Sequence, residues 1–277
     1  MNNRGDQLPI GVFDSGVGGL SVLRAIRDHL PGESVIYFGD QGHVPYGSRS
    51  VDEIRNFSHS ITRFLLSHDA KIIVVACNTA SAAALSALRS SFPGLSFVGM
   101  EPAVKPAVEQ TLTGIVGVLA TPATFQGALY ASVVERFAEN VTILKNTCPG
   151  LVQQIENGEL AGEKTRSILE SALFPMMDQG VDTIVLGCTH FPFVIPLIQE
   201  IVGLNVRVID PAPAVARQVV RLLDNNMMQT KGVNSTPPLY FTSGEPNQFK
   251  YSLKKLINKM GEVKKVTWEN DKIIVND

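Results

Sequence analysis

Two cysteines occupy matching places in the sequence and could carry acid–base chemistry. Cys77 follows the apolar stretch 71–76, and Cys188 follows the apolar stretch 183–187. Small polar residues and then a helix-like segment come after each of them. Open α/β sheets bind ligands beyond the carboxyl ends of their strands, and helix N-terminal amides there bind anions and lower the pKa of a thiol. Two such thiols on opposite sides of one ligand would suit a racemisation, in which one thiolate removes a proton and the other thiol returns one to the opposite face.

Each thiol has a candidate partner, because an unperturbed thiol is only a few per cent ionised at neutral pH. Asp14 ends the first apolar strand and is the candidate partner of Cys77. His190 lies two residues after Cys188, and histidine exchanges protons near pH 7. Simpler roles stay open for all four residues. Either cysteine could be a buried structural residue, Asp14 could cap the helix that begins near Gly18, and His190 could be an ordinary surface or loop histidine.

Further features bear on the ligand, on the third cysteine and on metal binding. The glycine-rich turn Asp14–Gly19 has neither a Walker lysine nor the spaced glycines of a dinucleotide site, so a small carboxylate held by backbone amides fits it better than a nucleotide does. Tyr46 lies in a long loop and is either a binding residue or part of a plain turn. Cys148 has no partner motif and is predicted to be structural. The five histidines form no zinc motif, and the cysteines lack paired zinc spacing, so no metal is expected.

Composition narrows the class of protein. Of 277 residues, 44% are hydrophobic and 18% are charged, which is typical of a folded globular chain. The net charge of −2 argues against a nucleic-acid partner held by phosphate contacts. No apolar run approaches the roughly 18 residues needed to span a membrane, and the first eight residues lack a signal-peptide core. An odd number of cysteines, three, does not make a disulfide framework, so a cytoplasmic protein is expected.

Strand-sized apolar runs alternate with amphipathic segments along the whole chain. Strands are predicted at 10–13, 34–38, 71–76, 97–100, 115–119, 141–144, 183–187, 207–209 and 239–242, and a hairpin from Val263. Helices are predicted at 20–30, 51–68, 80–90, 122–139, 151–158, 163–179, 193–202, 212–223 and 248–260, with a surface connection at 225–238. This alternation predicts parallel sheets covered on both faces. The two halves have the same layout, each with a cysteine ending a strand, which suggests pseudo-twofold symmetry.

The chain resembles the glutamate racemases of the cofactor-independent aspartate/glutamate racemase family. The resemblance runs from Ile10 to about Pro213. It is carried by Gly11-Val-Phe-Asp-Ser-Gly-Val-Gly-Gly-Leu20, Pro45-Tyr-Gly47, Ala76-Cys-Asn-Thr-Ala-Ser81 and Leu186-Gly-Cys-Thr-His-Phe-Pro192, with Tyr240-Phe-Thr-Ser-Gly244 as a later match.

This resemblance implies an α/β fold of two flavodoxin-like (Rossmann-like), parallel-sheet domains with the active site in the cleft between them. The first domain would be residues 1–98 with 212–277, and the second would be 99–211. The reaction would interconvert L- and D-glutamate without pyridoxal phosphate or metal, and it would supply D-glutamate for peptidoglycan. A homodimer is expected, with no nucleic-acid or membrane partner.

The resemblance also assigns roles to individual residues. Cys77 would act on D-glutamate and Cys188 on L-glutamate. Asp14, His190 and Glu156 would assist the two thiols. Asp14 would also contact the substrate, whose carboxylates and amino group would be bound by Ser15, Pro45, Tyr46, Gly47, Asn78, Thr79, Thr121 and Thr189.

Three other activities remain as alternatives. An aspartate racemase of the same fold would differ in substrate. A non-catalytic two-domain protein that closes on an amino acid would bind it without exchanging the α-proton. A thiol redox protein would cycle a disulfide between Cys77 and Cys188, although these two residues do not form an adjacent Cys-x-x-Cys pair.

Overall fold

The chain folds into two compact α/β units. The computed structural model describes residues 8–230 and 237–276, so the middle of the predicted surface connection, 231–236, lies outside the described residues. Unit 1 combines the chain up to Met100 with the chain from Ala212 onward, and unit 2 is Glu101–Pro211. No helix in the described ranges is both long enough and apolar enough to cross a membrane.

Strands and helices alternate along both units. The strands are β1 (Ile10–Asp14), β2 (Val35–Gly39), β3 (Ile72–Val75), β4 (Phe97–Gly99), β5 (Ile115–Ala120), β6 (Thr142–Asn146), β7 (Thr183–Gly187), β8 (Arg207–Ile209), β9 (Leu239–Thr242), β10 (Val263–Glu269) and β11 (Lys272–Val275). The helices are α1 (Leu20–His29), α2 (Val51–Ser67), α3 (Asn78–Ser91), α4 (Val104–Gln110), α5 (Pro122–Gln126), α6 (Ala128–Phe137), α7 (Leu151–Glu156), α8 (Glu163–Met177), α9 (Ile195–Val202), α10 (Ala212–Asn225) and α11 (Pro246–Ile257). Short 3-10 helices occupy Tyr46–Ser48 and Phe191–Val194.

The first four strands of each unit have the same order, second-first-third-fourth, and unit 1 adds three more strands at one edge. Unit 1 has the order β11-β10-β9-β2-β1-β3-β4, and unit 2 has the order β6-β5-β7-β8. All neighbours are parallel except β10 and β11, which form the predicted terminal hairpin. In each unit the first strand therefore lies between the second and the third, and chain connections leave it on opposite sides. The resulting switch point is where open α/β sheets bind ligands.

The central strands are buried on both faces, as their unbroken apolar sequences predict. Every residue of β1, β3 and β7 is buried. The helices that cover them are amphipathic, and α2 begins with a capping box in which Ser50 and Glu53 satisfy each other's backbone N–H groups.

Several predicted helices have other bounds in the structure, among them the one predicted at 248–260, which is observed as α11 (Pro246–Ile257). The segment predicted as one helix at 122–139 is divided into α5 and α6, because Gly127 is extended (φ −70°, ψ 139°). The helix predicted at 80–90 begins two residues earlier, with Cys77 as its N-cap. The segment predicted at 193–202 is a 3-10 helix at its start, and α9 begins only at Ile195. Helix α4 was not predicted.

Within unit 1, a buried ion pair links the N-terminal part of the chain to the part that returns after unit 2. The Nζ of Lys71 lies 2.7 Å from Oε2 of Glu33, and both side chains are only 2% exposed. Lys71 also donates to the carbonyl of Met228 (2.7 Å), and Glu33 accepts from the N–H and hydroxyl of Thr230 (2.7 and 2.9 Å). The pair thus joins the residues just before β2 and β3 to the chain that follows α10.

Glu33→Ala is expected to lower the free energy of unfolding of unit 1 by about 3–5 kcal/mol, because it leaves Lys71 as a buried charge without its carboxylate. The measurement is urea unfolding followed by the fluorescence of Trp268, the one tryptophan in the sequence. The control is Glu262→Ala, which removes an exposed pair with Lys264 (3.6 Å) and should cost about 0–1 kcal/mol. Equal losses in the two variants would contradict this account.

Candidate active site

The predicted residues of unit 1 gather at the carboxyl ends of β1 and β3. Phe13 pairs with Val75 in the sheet, so the chain beyond them brings Ser15 beside Cys77. The Sγ of Cys77 lies 3.8 Å from Oγ of Ser15. It also accepts a hydrogen bond from the N–H of Ala80 (3.5 Å), as the N-cap of α3. The thiol is 5% exposed and sits at the positive end of a 14-residue helix, where a negative charge is stabilised.

Asp14 lies at the same edge and is fully buried. Its Oδ2 accepts a hydrogen bond from the N–H of Gly16 (3.0 Å), which orders the glycine-rich turn. The alternative that Asp14 caps the following helix is wrong, since the N-cap of α1 is Gly19 and no side chain caps it.

Asn78 and Thr79 form the first turn of α3, and both are buried. Neither amide atom of the Asn78 side chain has a hydrogen-bond partner within the described part of the chain. A buried amide without partners is costly, so Asn78 is suited to bind a polar ligand.

The loop after β2 carries the predicted residues Pro45, Tyr46 and Gly47. Pro45 is exposed and follows a cis peptide bond, Gly47 is half-buried, and Tyr46 is buried. The Tyr46 hydroxyl donates to Oδ2 of Asp40 at 2.6 Å. Burial, and then the charge and hydrogen bond of Asp40, raise the pKa of Tyr46 well above its usual value, with smaller contributions from Cys77 and Asp14. The Tyr46 hydroxyl is therefore protonated at neutral pH and held by a buried carboxylate.

The predicted residues of unit 2 gather at the matching edge. Ala120 pairs with Gly187, so one residue further on Thr121 comes beside Cys188. These strands approach so closely that a Cβ on Gly187 would meet that of Ala120 at 2.8 Å. Thr121 is half-buried and caps α5 through the N–H of Thr124 (3.3 Å), whereas Cys188 and Thr189 are buried.

His190 connects Cys188 to Glu156. Its Nδ1 lies 3.7 Å from Sγ of Cys188, and its Nε2 lies 2.7 Å from Oε1 of Glu156. All three side chains are buried, so the alternative of a surface histidine is wrong. Burial by itself lowers the pKa of His190, but its hydrogen bonds and charge interactions with Cys188 and Glu156 outweigh burial and raise that pKa well above the usual value. An imidazolium beside Cys188 stabilises a thiolate there.

The groups that can stabilise a thiolate therefore differ between Cys77 and Cys188. A helix N-terminus was predicted beside both cysteines, but an α-helix begins directly after Cys77 only. After Cys188 the backbone forms a 3-10 helix, in which the N–H of Phe191 donates to the Cys188 carbonyl (3.1 Å). The buried His190–Glu156 pair occupies the neighbourhood of Cys188 instead.

Cys148 differs from the other two cysteines. It is buried, and burial followed by the nearby Cys188 raises its pKa to about 12. Its thiol is thus protonated at neutral pH, in agreement with the structural role predicted for it. Within the described residues, no group of three or more His, Cys, Asp or Glu side chains is arranged to hold a metal ion.

At the carboxyl ends of these strands, the sequence analysis missed a buried carboxylate. Asp40 follows β2 directly and is fully buried, yet it was not among the predicted residues. Its position after a strand of a parallel sheet was the available signal.

The chain is similar to known proteins over most of its length. The family model described as Asp/Glu/Hydantoin racemase matches residues 10–219. A glutamate racemase from Pseudomonas paraeruginosa is 49% identical over 243 residues, covering 88% of this chain and 91% of that protein.

Two solved structures are similar over nearly the whole chain. Escherichia coli glutamate racemase in complex with L-glutamate and the activator UDP-MurNAc-ala has a TM-score of 0.82 at 30% identity, covering 98% of this chain and all of that one. Glutamate racemase from Francisella tularensis in complex with D-glutamate has a TM-score of 0.82 at 29% identity, covering 95% and 98% of the two chains.

The raised pKa of His190 predicts a pH-dependent contribution to stability. A group whose pKa is higher in the folded state stabilises the fold fully below its unfolded pKa of about 6.5, and this stabilisation is lost as the pH rises through the folded pKa. His190→Asn should therefore reduce the free energy of unfolding more at pH 6 than at pH 9, as measured by urea unfolding followed by circular dichroism.

Glu156→Gln tests whether Glu156 contributes to the raised pKa of His190. It keeps the size of the side chain but removes its charge, so the pKa of His190 should fall in an NMR titration of the histidine ring. An unchanged pKa would contradict the role given to Glu156.

Proposed function

Because the chain belongs to the Asp/Glu/Hydantoin racemase family, we propose that it interconverts L- and D-glutamate. Relatives close to half identical over most of their length are glutamate racemases. Solved relatives hold L-glutamate in one case and D-glutamate in another. The observation that carries the chemistry is a buried thiol just beyond the carboxyl end of the third strand of each unit, beside a hydroxyl residue that follows the first strand.

The proposed mechanism uses the two thiols as a base and an acid. In the direction from L-glutamate, the Cys188 thiolate removes the α-proton and becomes a thiol, and the Cys77 thiol donates a proton to the opposite face and becomes a thiolate. The reverse direction exchanges these roles. The His190 imidazolium stabilises the Cys188 thiolate, and the first turn of α3 stabilises that of Cys77.

Substrate binding in this proposal depends on neutral donors. Backbone amides and hydroxyls bind the carboxylates, with Ser15, Asn78 and Thr79 in unit 1 and Thr121 and Thr189 in unit 2. The binding role of Asn78 is supported by its buried side-chain amide, which has no hydrogen-bond partner within the described residues. Fixed donors of this kind also stabilise the negative charge that develops when the α-proton leaves. The proposal includes a cytoplasmic homodimer that supplies D-glutamate for peptidoglycan.

The first test is proton NMR in deuterated water with L-glutamate and, separately, D-glutamate, alongside the optical activity of each solution. Loss of the α-proton signal together with loss of optical activity is expected. If glutamate binds but keeps its α-proton, the protein is an amino-acid-binding protein instead. Faster exchange of aspartate than of glutamate would identify an aspartate racemase.

Cys77→Ala and Cys188→Ala are each expected to reduce racemisation by about 10²- to 10⁴-fold or more, since each removes an acid–base group. Cys148→Ser is the matched control and should retain nearly the full rate, because the Cys148 thiol is buried and protonated. Full turnover in either alanine variant would exclude the two-thiol mechanism. A large loss in Cys148→Ser would mean that the catalytic thiols were wrongly assigned.

His190→Asn is expected to reduce kcat more from L-glutamate than from D-glutamate, because His190 contacts Cys188 and not Cys77 in the proposed assignment. Since enantiomers have equal free energy, kcat/KM must change equally in the two directions, and the asymmetry will appear in kcat and in the isotope effect of α-deuterated substrate. Equal changes of kcat in both directions would contradict the assignment of Cys188 to L-glutamate.

A further inference from the structure

Asp40 lies at the centre of a buried hydrogen-bond network within unit 1. Its Oδ2 accepts from the Tyr46 hydroxyl (2.6 Å) and from Nδ1 of His43 (3.0 Å). Its Oδ1 accepts from the Ser243 hydroxyl (2.6 Å) and from Nε1 of Trp268 (3.0 Å). Four side chains therefore converge on one carboxylate that is fully buried.

The four donors come from two distant parts of the sequence. His43 and Tyr46 belong to the loop after β2, which carries Pro45, Tyr46 and Gly47. Ser243 directly follows β9, and Trp268 lies in β10. The connection is possible because β9 pairs in parallel with β2, with Gly39 opposite Thr242, so that both strands end side by side.

Ser243 and Trp268 also hold this loop by other contacts. The Ser243 hydroxyl accepts a hydrogen bond from the N–H of Gly42 (2.9 Å), and the Ser243 N–H donates to the carbonyl of Gly39 (3.3 Å). The His43 ring lies edge-on to Trp268 with centroids 5.1 Å apart, and it stacks on Phe57 at 4.1 Å. Both the backbone and the side chains of the loop are thus fixed by the C-terminal part of unit 1.

We propose that Ser243 and Trp268 are positioning residues that act through Asp40 to place Tyr46 and its loop for substrate binding. This inference rests on the proposed function, because the loop matters only if it contacts the substrate. Ser243 and Trp268 fix the carboxylate to which the Tyr46 hydroxyl donates, and charge-assisted hydrogen bonds of this kind are short and directional.

The test compares three purified full-length variants. Trp268→Phe removes the indole N–H but keeps an aromatic ring beside His43, and Ser243→Ala removes the hydroxyl. Each is expected to raise KM for both enantiomers by about three- to tenfold, with a smaller change in kcat, because one charge-assisted hydrogen bond to Asp40 is lost. Thr267→Val is the control, since the Thr267 hydroxyl bonds to Asn276 (3.1 Å) in the same hairpin and not to Asp40; its KM should not change.

A second measurement reports substrate binding directly and does not depend on the rate of turnover. Trp268 is the one tryptophan in the sequence, and it contacts the same carboxylate as Tyr46, so adding glutamate should change its fluorescence. This response should be retained in Thr267→Val and reduced in Ser243→Ala. A purely structural role would lower the unfolding free energy of Ser243→Ala while leaving KM and the fluorescence response unchanged.

The outcomes separate this inference from the proposed function. If the unmodified protein exchanges no α-proton of glutamate, the proposed function fails. If the unmodified protein racemises glutamate but folded Trp268→Phe and Ser243→Ala have unchanged KM, the positioning role of the C-terminal residues is excluded. If only one of these variants folds, the KM of that variant decides.

Discussion

The position of the first strand of each sheet, between the second and the third, is the constraint on which both half-sites depend. The chain leaves this strand on one side and later returns on the other, so two strand ends lie next to each other with no connection crossing between them. Short segments of small residues that follow the first and third strands can therefore lie side by side at the carboxyl ends of these strands. Ser15 and Cys77 meet in unit 1 for this reason, and Thr121 and Cys188 occupy the same places in unit 2.

The two thiols share a place in the fold but not an environment. Around Cys77 the stabilising groups include a helix N-terminus and a hydroxyl, whose polarity does not change with pH, and the buried Asp14 lies at the same edge. Around Cys188 they are an imidazole and a carboxylate, which can gain or lose a proton. The repeated topology therefore supplies two equivalent positions, and the local sequence after each strand determines how a negative charge is stabilised there.

Much of the fold was predictable because local patterns determine it. The strands at 183–187, 207–209 and 239–242 have the predicted bounds, since each is a short apolar run between polar or turn-forming residues. The single helix predicted at 122–139 was wrong because apolar periodicity does not reveal the extended backbone of Gly127. The motifs identified the residues at each strand end, but the contacts of Asp40 with Ser243 and Trp268 depend on the pairing of β2 with β9, which joins residues far apart in the sequence.

The order of the two units along the chain has a consequence for biosynthesis. Unit 2 is one continuous segment. In unit 1, β2 cannot pair with β9 until β9 has been synthesised, which happens after all of unit 2. Domains fold largely as they leave the ribosome, starting from the N-terminus. During translation β2 is therefore an open sheet edge, which can pair with other chains, and the carboxylate of Asp40 lacks two of its four donors. The N-terminal half-site is begun first and completed last.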